Sequence, residues 1–158
     1  MASRMGWIGM WAGLLPGCSA PQDRIASSPG ARTAVLPILR DYQGDHPRLA
    51  RSFAMVIRDQ ATYHQLPLAE VEVDFGREML LVVATGGIRL TDSVSRITGV
   101  RRTGSVLVAD VVQVRRSDGE SRDGPRRAGT YHMVVVPFSD LNVVGFDTQV
   151  TPGLFDAR

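Results

Sequence analysis

The chain has 158 residues, 44% of them hydrophobic and 22% charged, which is typical of a globular protein with room for one domain and its core. The net charge is only +2, and the arginines, which supply every basic residue, alternate with Asp and Glu along the sequence. A one-sided basic surface is therefore not expected, which argues against nucleic-acid binding. The single cysteine excludes an internal disulfide framework and a cysteine-based metal cluster.

The N-terminal residues have the layout of a secretory signal peptide. Arg4 precedes an apolar segment, Met5 to Leu15, that is much shorter than the ~20 residues needed to span a bilayer. The segment leads into Leu15-Pro16-Gly17-Cys18, which resembles a bacterial lipobox, where the cysteine marks cleavage and lipid attachment. We therefore expect residues 1–17 to be a lipoprotein signal peptide and Cys18 to carry a diacylglyceryl group and a further acyl chain such as palmitate.

This interpretation predicts an extracytoplasmic protein that is anchored to a membrane through its lipid. Residues 18–32, with two prolines, several serines and a glycine, predict a flexible tether. Two alternatives stay open. One is an ordinary cleaved signal. The other is an N-terminal helix in which the Cys18 thiol is buried and Trp7 and Trp11 are core aromatics.

The predicted domain occupies residues 33–150. It begins with a short strand from Ala34 to Leu39 that Pro37 interrupts, followed by a loop from Asp41 to Pro47. Ser52 to Arg58 predicts a clearer strand, and Asp59 then caps a short helix from Gln60 to Leu66. Tyr63 and Leu66 share one face of that helix, whereas His64 faces solvent.

Val71 to Gly87 is the segment around which we expect the fold to be built. Its middle, Met79 to Ala84, is an unbroken apolar run that is short for a helix and closes on a Gly-Gly pair, so it predicts a strand buried on both faces. Asp74 precedes this strand. It is either a site carboxylate or, in the interpretation we favour, an acceptor for the amides of the turn Phe75 to Arg77.

The second half of the chain predicts further sheet. Ser93 to Val100 and Ser105 to Arg116 form a predicted hairpin that turns at Gly104. Both faces of the second strand are largely apolar as far as Gln113, which favours a sandwich or a partly closed barrel. The remaining predicted elements are a mobile loop at Ser117 to Gly129, strands at Thr130 to Val136 and Asn142 to Val150, and a loose tail at residues 151–158.

The predicted fold is mainly β, an antiparallel sandwich or partly open barrel with one short helix. The alternative is an α+β fold with one sheet and a packed helix.

The order of these features resembles the C-terminal domain of the protease-complex subunit PrcB, a domain of secreted bacterial proteins and lipoproteins. The matching segments begin with the Gln60 to Leu66 helix with Pro67, Val73-Asp74-Phe75, Arg77-Glu78 and the apolar strand with Gly86. The later matches are Ile97 and Val100 before a turn, the Val106 to Val112 strand, and Tyr131 to Pro137. The likeness spans about Ser52 to Asp147. Where the family usually has a Thr-Gly-Gly-Tyr turn, this chain has Arg89-Leu90-Thr91-Asp92-Ser93, and only Thr91 is retained.

The resemblance implies a non-catalytic accessory module that binds or stabilises an envelope protein, with a protease as one candidate. It also implies a structural role for the motif residues Asp74, Phe75 and Gly86. The candidate interaction surface comprises the variable turn and the Arg-rich loop, with residues Arg89, Thr91, Asp92, Arg122, Arg126 and Arg127. For the loop arginines, a solvated loop is the alternative to binding an anionic partner.

Catalytic and metal-binding patterns are missing from the sequence. His46, His64 and His132 lie in different predicted elements, and no pair has the spacing of metal ligands, so neither a metal nor another cofactor is expected. There is no Gly-x-Ser-x-Gly segment. A hydrolase would require His132, a serine and an acid to converge in the fold, and the remaining alternative is a domain that binds a small molecule or a cell-wall polysaccharide.

Overall fold

Strands dominate the part of the chain that the structure describes. The structure is a computed structural model that describes residues 33–86, 93–115 and 128–156, all within the compact unit Ala31–Arg158. The elements, in chain order, are β1 (Thr33–Leu36), β2 (Arg40–His46), β3 (Phe53–Ile57), α1 (Gln60–Tyr63), β4 (Glu78–Thr85), β5 (Ser93–Thr103), β6 (Val106–Arg115), β7 (Gly129–Pro137) and β8 (Asn142–Val143).

The strands form two four-stranded sheets. One, which we call the outer sheet, has the order β1-β5-β6-β8, and the other, the central sheet, has the order β2-β7-β4-β3. Neighbouring strands are antiparallel except β6 and β8, which are parallel. The prediction of a mainly β sandwich with one short helix is confirmed. The sheets do not close into a barrel, and the single-sheet alternative is wrong.

The central sheet is covered on both faces, and β4 shows this best. Its residues Met79 to Ala84 are all buried. Since successive side chains of a strand point to opposite faces, Leu80 and Val82 pack on the side of α1, whereas Leu81 and Val83 pack against the outer sheet. The unbroken apolar run therefore fills two cores at once, as the sequence predicted.

The helix begins where the sequence placed it and ends earlier. Thr62 donates to Asp59 from its backbone N–H (2.7 Å) and its hydroxyl (2.8 Å), so Asp59 caps the first turn. These bonds hold the pKa of Asp59 below its ordinary value. The helix ends at Tyr63 rather than Leu66, although both of these side chains are buried and His64 is exposed, as expected.

The β5–β6 hairpin also forms at its predicted turn, with Gly104 at a φ of 60°. The burial of β6 differs from the prediction, however. Leu107 is buried, but Val111, Val112 and Val114 are 41–42% exposed, so the distal half of this strand is not covered on both faces. Apolar alternation identified the strand correctly but not its cover, because Val112 and Val114 lie on the side of the outer sheet that points away from the central sheet.

Residues 41–47, predicted as a loop, contribute most of strand β2. The strand pairs along its whole length with β7, from Arg40 opposite Val135 to His46 opposite Gly129. Gly44 lies opposite Tyr131, whose ring occupies the space that a side chain at position 44 would need. Gly and Asp favour turns locally, but here the cross-strand ring covers the glycine and the neighbouring backbone supplies the hydrogen bonds.

The last predicted strand is shorter than expected, and the tail is more ordered. Strand β8 stops at Val143 because the chain turns at Gly145, which has a φ of 78°. The predicted loose tail needs correction at Leu154, which is buried and whose carbonyl accepts hydrogen bonds from Ala50 (2.9 Å) and Arg51 (3.3 Å). The tail also holds Phe155, which packs against the same core, but two adjacent apolar residues in a short segment give no sign of such docking in the sequence.

No helix in the described ranges has the length and hydropathy needed to cross a membrane.

Candidate functional site

Asp74 forms a turn and makes no contact that indicates a catalytic role. Its Oδ1 accepts a hydrogen bond from the Gly76 amide (3.1 Å), and its carbonyl accepts from the amides of Arg77 (2.8 Å) and Glu78 (2.7 Å). Glu78 in turn accepts from the Asp74 amide (3.1 Å) and pairs with Arg40. The carboxylate thus orders the entry to β4, in agreement with the interpretation favoured from the sequence.

Phe75 and Gly86, the other two motif residues, also make contacts that stabilise the fold. Phe75 is half-buried, and its ring lies 6.0 Å from that of Tyr63, measured between centroids. Gly86 donates to the Ser52 hydroxyl (3.1 Å) and lies so close to the backbone of Ala50 that a Cβ at position 86 would be 2.6 Å from its carbonyl oxygen. Both residues therefore support the fold at the two ends of β4.

The other predicted site residues lie outside the described residues. They are the lipid-attachment residue Cys18 and the candidate interaction residues Arg89, Thr91, Asp92, Arg122, Arg126 and Arg127.

Two of the three histidines have packed or buried environments that the sequence did not reveal. His46 lies edge-on to Phe155, 5.1 Å between ring centroids, and its pKa is lowered by burial and by Arg48. His132 is 3% exposed and faces the outer sheet from β7. Its Nδ1 accepts from the Ile97 amide (3.2 Å), which fixes the hydrogen on Nε2, 3.7 Å from the Asp41 carboxylate.

The chemistry available at His132 is limited by these contacts. Burial, and secondarily the positive charge of Arg96, lower the pKa of His132, so its neutral form is favoured. Within the described chain, its hydrogen-bond and ion-pair contacts are the Ile97 amide and Asp41, and neither is a hydroxyl. The same residues contain no group of three His, Cys, Asp or Glu side chains that could hold a metal ion.

A shallow cavity of about 460 Å³ lies beside α1, on the side of the central sheet that faces away from the outer sheet. The hydroxyl of Tyr63 stabilises its wall by donating to the Ala69 carbonyl and accepting from the Val71 amide, both at 2.7 Å. The cavity is lined by Gln60, Tyr63, His64, Leu66, Pro67, Leu68, Glu70 and Val71. Its volume is within the ~300–1,000 Å³ of small-molecule sites.

The solvent side of the outer sheet carries a row of partly exposed valines, which we call the valine face. Paired residues on neighbouring strands point to the same side of a sheet, and the register places Val35 and Val108 on either side of Arg101. The exposed fraction is 78% for Val35, 51% for Val144 and 41% for both Val112 and Val114. The valine face consists of Val35, Val108, Val112, Val114 and Val144.

The edge of β6 next to the valine face is only partly paired. Strand β8 covers it at Val106 and Leu107, and the Leu107 carbonyl accepts from the Val144 amide (2.9 Å). Among the described residues, no strand pairs with β6 beyond that point on this side. The result is an apolar sheet face next to a run of open backbone groups, two features that are typical of protein-binding surfaces.

No known protein family matches the sequence, and no curated protein or solved structure matches the chain.

Proposed function

We propose that this protein is a non-catalytic lipoprotein of the bacterial envelope, held to a membrane through Cys18, whose β domain binds or stabilises another envelope protein. The valine face carries the proposal. It presents at least four valines that are 41% exposed or more on one side of the outer sheet, interspersed with the Arg101–Asp110 ion pair. A soluble domain seldom leaves such a surface open without a binding role.

The remaining support comes from the sequence. The lipobox-like segment before Cys18 predicts the anchor, and the likeness to the PrcB C-terminal domain implies an accessory role beside another envelope protein, with a protease as one candidate. Asp74 and His132, the two residues that best fitted a catalytic role, make structural contacts with backbone amides.

The experiment is affinity purification from membranes of the native host after chemical crosslinking. We expect the wild-type protein to recover a partner at near-stoichiometric yield, and the double variant Val112→Asp/Val114→Asp to lose it. The matched control is Thr148→Asp/Gln149→Asp, which adds the same two charges at exposed positions away from the valine face.

The experiment tests the binding function and the binding surface separately. Recovery of no stoichiometric partner by the wild-type protein would contradict the binding function. Equal recovery by the valine variant and the control variant would retain the function and exclude the valine face as the binding surface.

The cavity beside α1 favours a second candidate, a domain that binds a small molecule or a cell-wall fragment. Its volume of about 460 Å³ and its mixture of Leu, Pro, Gln and Glu side chains suit a small polar ligand. A rise in the melting temperature with soluble cell-wall fragments, abolished in a Leu68→Glu variant, would support this candidate over protein binding.

A further inference from the structure

The cavity beside α1 combines an apolar floor with a polar rim. Of the side chains that line it, Leu66 and Leu68 are buried and supply the floor. Gln60, His64 and Glu70 are exposed and supply the rim. Sites for small organic ligands commonly have this division, in which apolar groups cover the ligand and a few polar groups fix its orientation.

The wall of the cavity is held in place by hydrogen bonds to one residue. The Leu66 amide donates to the Tyr63 carbonyl (3.0 Å), and the Tyr63 hydroxyl bonds to the Ala69 carbonyl and the Val71 amide, both at 2.7 Å. The chain from Leu66 to Val71 is therefore tied to Tyr63 near both of its ends. A ligand that enters this cavity does not have to order the segment first, which lowers the entropy cost of binding.

The polar groups of the rim leave acceptors for a ligand. The side-chain amide nitrogen of Gln60 bonds to Nε2 of His64. Since an amide nitrogen can only donate, Nε2 accepts, and the side-chain carbonyl oxygen of Gln60 is left without a bond to any described residue. The Tyr63 hydroxyl already donates and accepts within the wall. The free hydrogen-bonding groups of the rim thus include the Gln60 oxygen and the Glu70 carboxylate.

Glu70 gives the rim a negative charge. Within the described ranges, no arginine lines the cavity and none forms an ion pair with Glu70. The charge acts on the cavity wall, because burial raises the pKa of Tyr63 and the negative charge of Glu70 raises it further. A rim with a negative charge and free acceptors attracts a cation that donates hydrogen bonds, and it repels an anion.

We propose that the cavity beside α1 binds the ammonium group of a small primary amine, with Glu70 and Gln60 around the ammonium and Leu66 and Leu68 along its apolar chain. The inference rests on the second candidate function and adds the chemical class of its ligand. A primary ammonium fits this rim because it has three donors and no acceptor. Free alkylamines and the side chain of a lysine share this chemistry.

The test is an NMR titration of the ¹⁵N-labelled full chain, made with Cys18→Ser so that no lipid is attached. The ligands are n-butylamine and its neutral counterpart n-butanol at pH 8, where a primary amine is still charged. We expect n-butylamine to shift the backbone amide signals of Leu66, Leu68 and Glu70 until they saturate. We expect n-butanol to bind at least about fivefold more weakly, and added salt to weaken the binding of the amine alone.

Two variants with the same net charge test the role of Glu70. Glu70→Gln keeps the shape of the side chain and removes its charge, and it should weaken the binding of n-butylamine at least about fivefold. The matched control is Glu72→Gln, which removes an exposed carboxylate two residues away that does not line the cavity. It should leave the affinity unchanged. Equal losses of affinity in the two variants would overturn the proposal.

The titration also separates this inference from the function on which it rests. Equal affinity for n-butylamine and n-butanol would overturn the ammonium assignment and retain the cavity as a small-molecule site. A lack of saturating shifts with n-butylamine would overturn the assignment too, whereas the melting temperature with cell-wall fragments tests the second candidate function independently.

A third ligand, Nα-acetyl-lysine N-methylamide, identifies the source of the amine. Binding of this compound at the cavity would support the proposal with a lysine side chain of a peptide or protein as the ligand. Binding of n-butylamine alone would support it with a free amine as the ligand.

Discussion

The Nδ1 atom of His132 accepts a hydrogen bond from the backbone amide of Ile97, 3.2 Å away, so a side chain of the central sheet is bonded to the backbone of the outer sheet. An imidazole that accepts at Nδ1 and is 3% exposed must be neutral at that nitrogen. Protonation of both nitrogens would therefore cost this contact between the sheets.

The first prediction concerns pH. Burial lowers the pKa of His132 below the 6.5 of the unfolded chain, with Arg96 acting in the same direction and Asp41 opposing it. The unfolded state then binds more protons, so the free energy of unfolding is highest above pH 6.5 and decreases as the pH falls below it. The slope for one group is at most about 1.4 kcal/mol per pH unit.

Urea unfolding between pH 8 and pH 5.5 measures this dependence, and His132→Gln, which can still accept from Ile97 but cannot titrate, should flatten it. His46, whose pKa is also lowered, stays in both proteins and leaves a residual slope. Asp59 has a lowered pKa as well, but its ordinary value is 3.8, so its effect falls at more acidic pH. The control, His64→Gln, changes an exposed histidine. Equal slopes for the wild-type protein and His132→Gln would contradict the prediction.

The second prediction concerns Gly86. A Cβ at this position would be 2.6 Å from the Ala50 carbonyl oxygen and 2.9 Å from the Arg51 Cα, and backbone atoms cannot give way as a flexible side chain can. We expect Gly86→Ala to lower the free energy of unfolding by about 1–3 kcal/mol in urea titrations. Gly99→Ala, where the nearest atom would be Asp110 Oδ2 at 3.4 Å, should change it little. Equal losses of the free energy of unfolding in the two variants would argue against the close approach of Gly86 to the backbone of Ala50 and Arg51.

The third prediction concerns Tyr63. Its hydroxyl bonds to the Ala69 carbonyl and the Val71 amide, and both backbone groups would lose this partner in Tyr63→Phe. We expect a loss of about 1–2 kcal/mol in the free energy of unfolding. Tyr42→Phe is the matched control, since Tyr42 packs at the margin of the same core but its hydroxyl bonds to no residue of the described chain. A loss as large for Tyr42→Phe would show that the hydroxyl bonds of Tyr63 are not the cause.

A fourth prediction uses proline to test which backbone groups of β6 are open. The backbone N–H of Val112 points to β5, where Val112 lies opposite Arg96, so Val112→Pro removes a hydrogen bond within the sheet. We expect a clearly lower melting temperature and a loss of about 1–3 kcal/mol in the free energy of unfolding. Val111→Pro removes an N–H on the open edge and should have a much smaller effect. A larger loss for Val111→Pro than for Val112→Pro would mean that the N–H of Val111, and not that of Val112, points to β5.

The fifth prediction concerns the N terminus. If the mature protein begins at Cys18, both tryptophans, Trp7 and Trp11, are removed with the signal peptide. Protein purified from its host should then show tyrosine emission and no tryptophan emission. A Cys18→Ala chain, which a lipoprotein signal peptidase would not process, should retain the tryptophan signal. Tryptophan emission from the mature wild-type protein would contradict the assignment.

Short sequence patterns determined the elements whose formation depends on residues close together in the chain. The apolar run Met79 to Ala84 identified a strand buried on both faces, because a chain segment without a polar face can be stable only between two covering layers. Asp59 and Gly104 marked the helix start and the hairpin turn, since a cap and a positive φ depend on the residue itself.

Only the tertiary structure decided the features that depend on residues distant in sequence. Strand β2 forms because β7 supplies its hydrogen bonds and Tyr131 covers Gly44. Leu154 packs in the core on the α1 side of the central sheet, and Ala50 and Arg51 hold its carbonyl there. The open edge of β6 also depends on residues distant in sequence. Alternating valines predict a strand, but whether its backbone is paired depends on where another strand ends, and β8 ends at Val143.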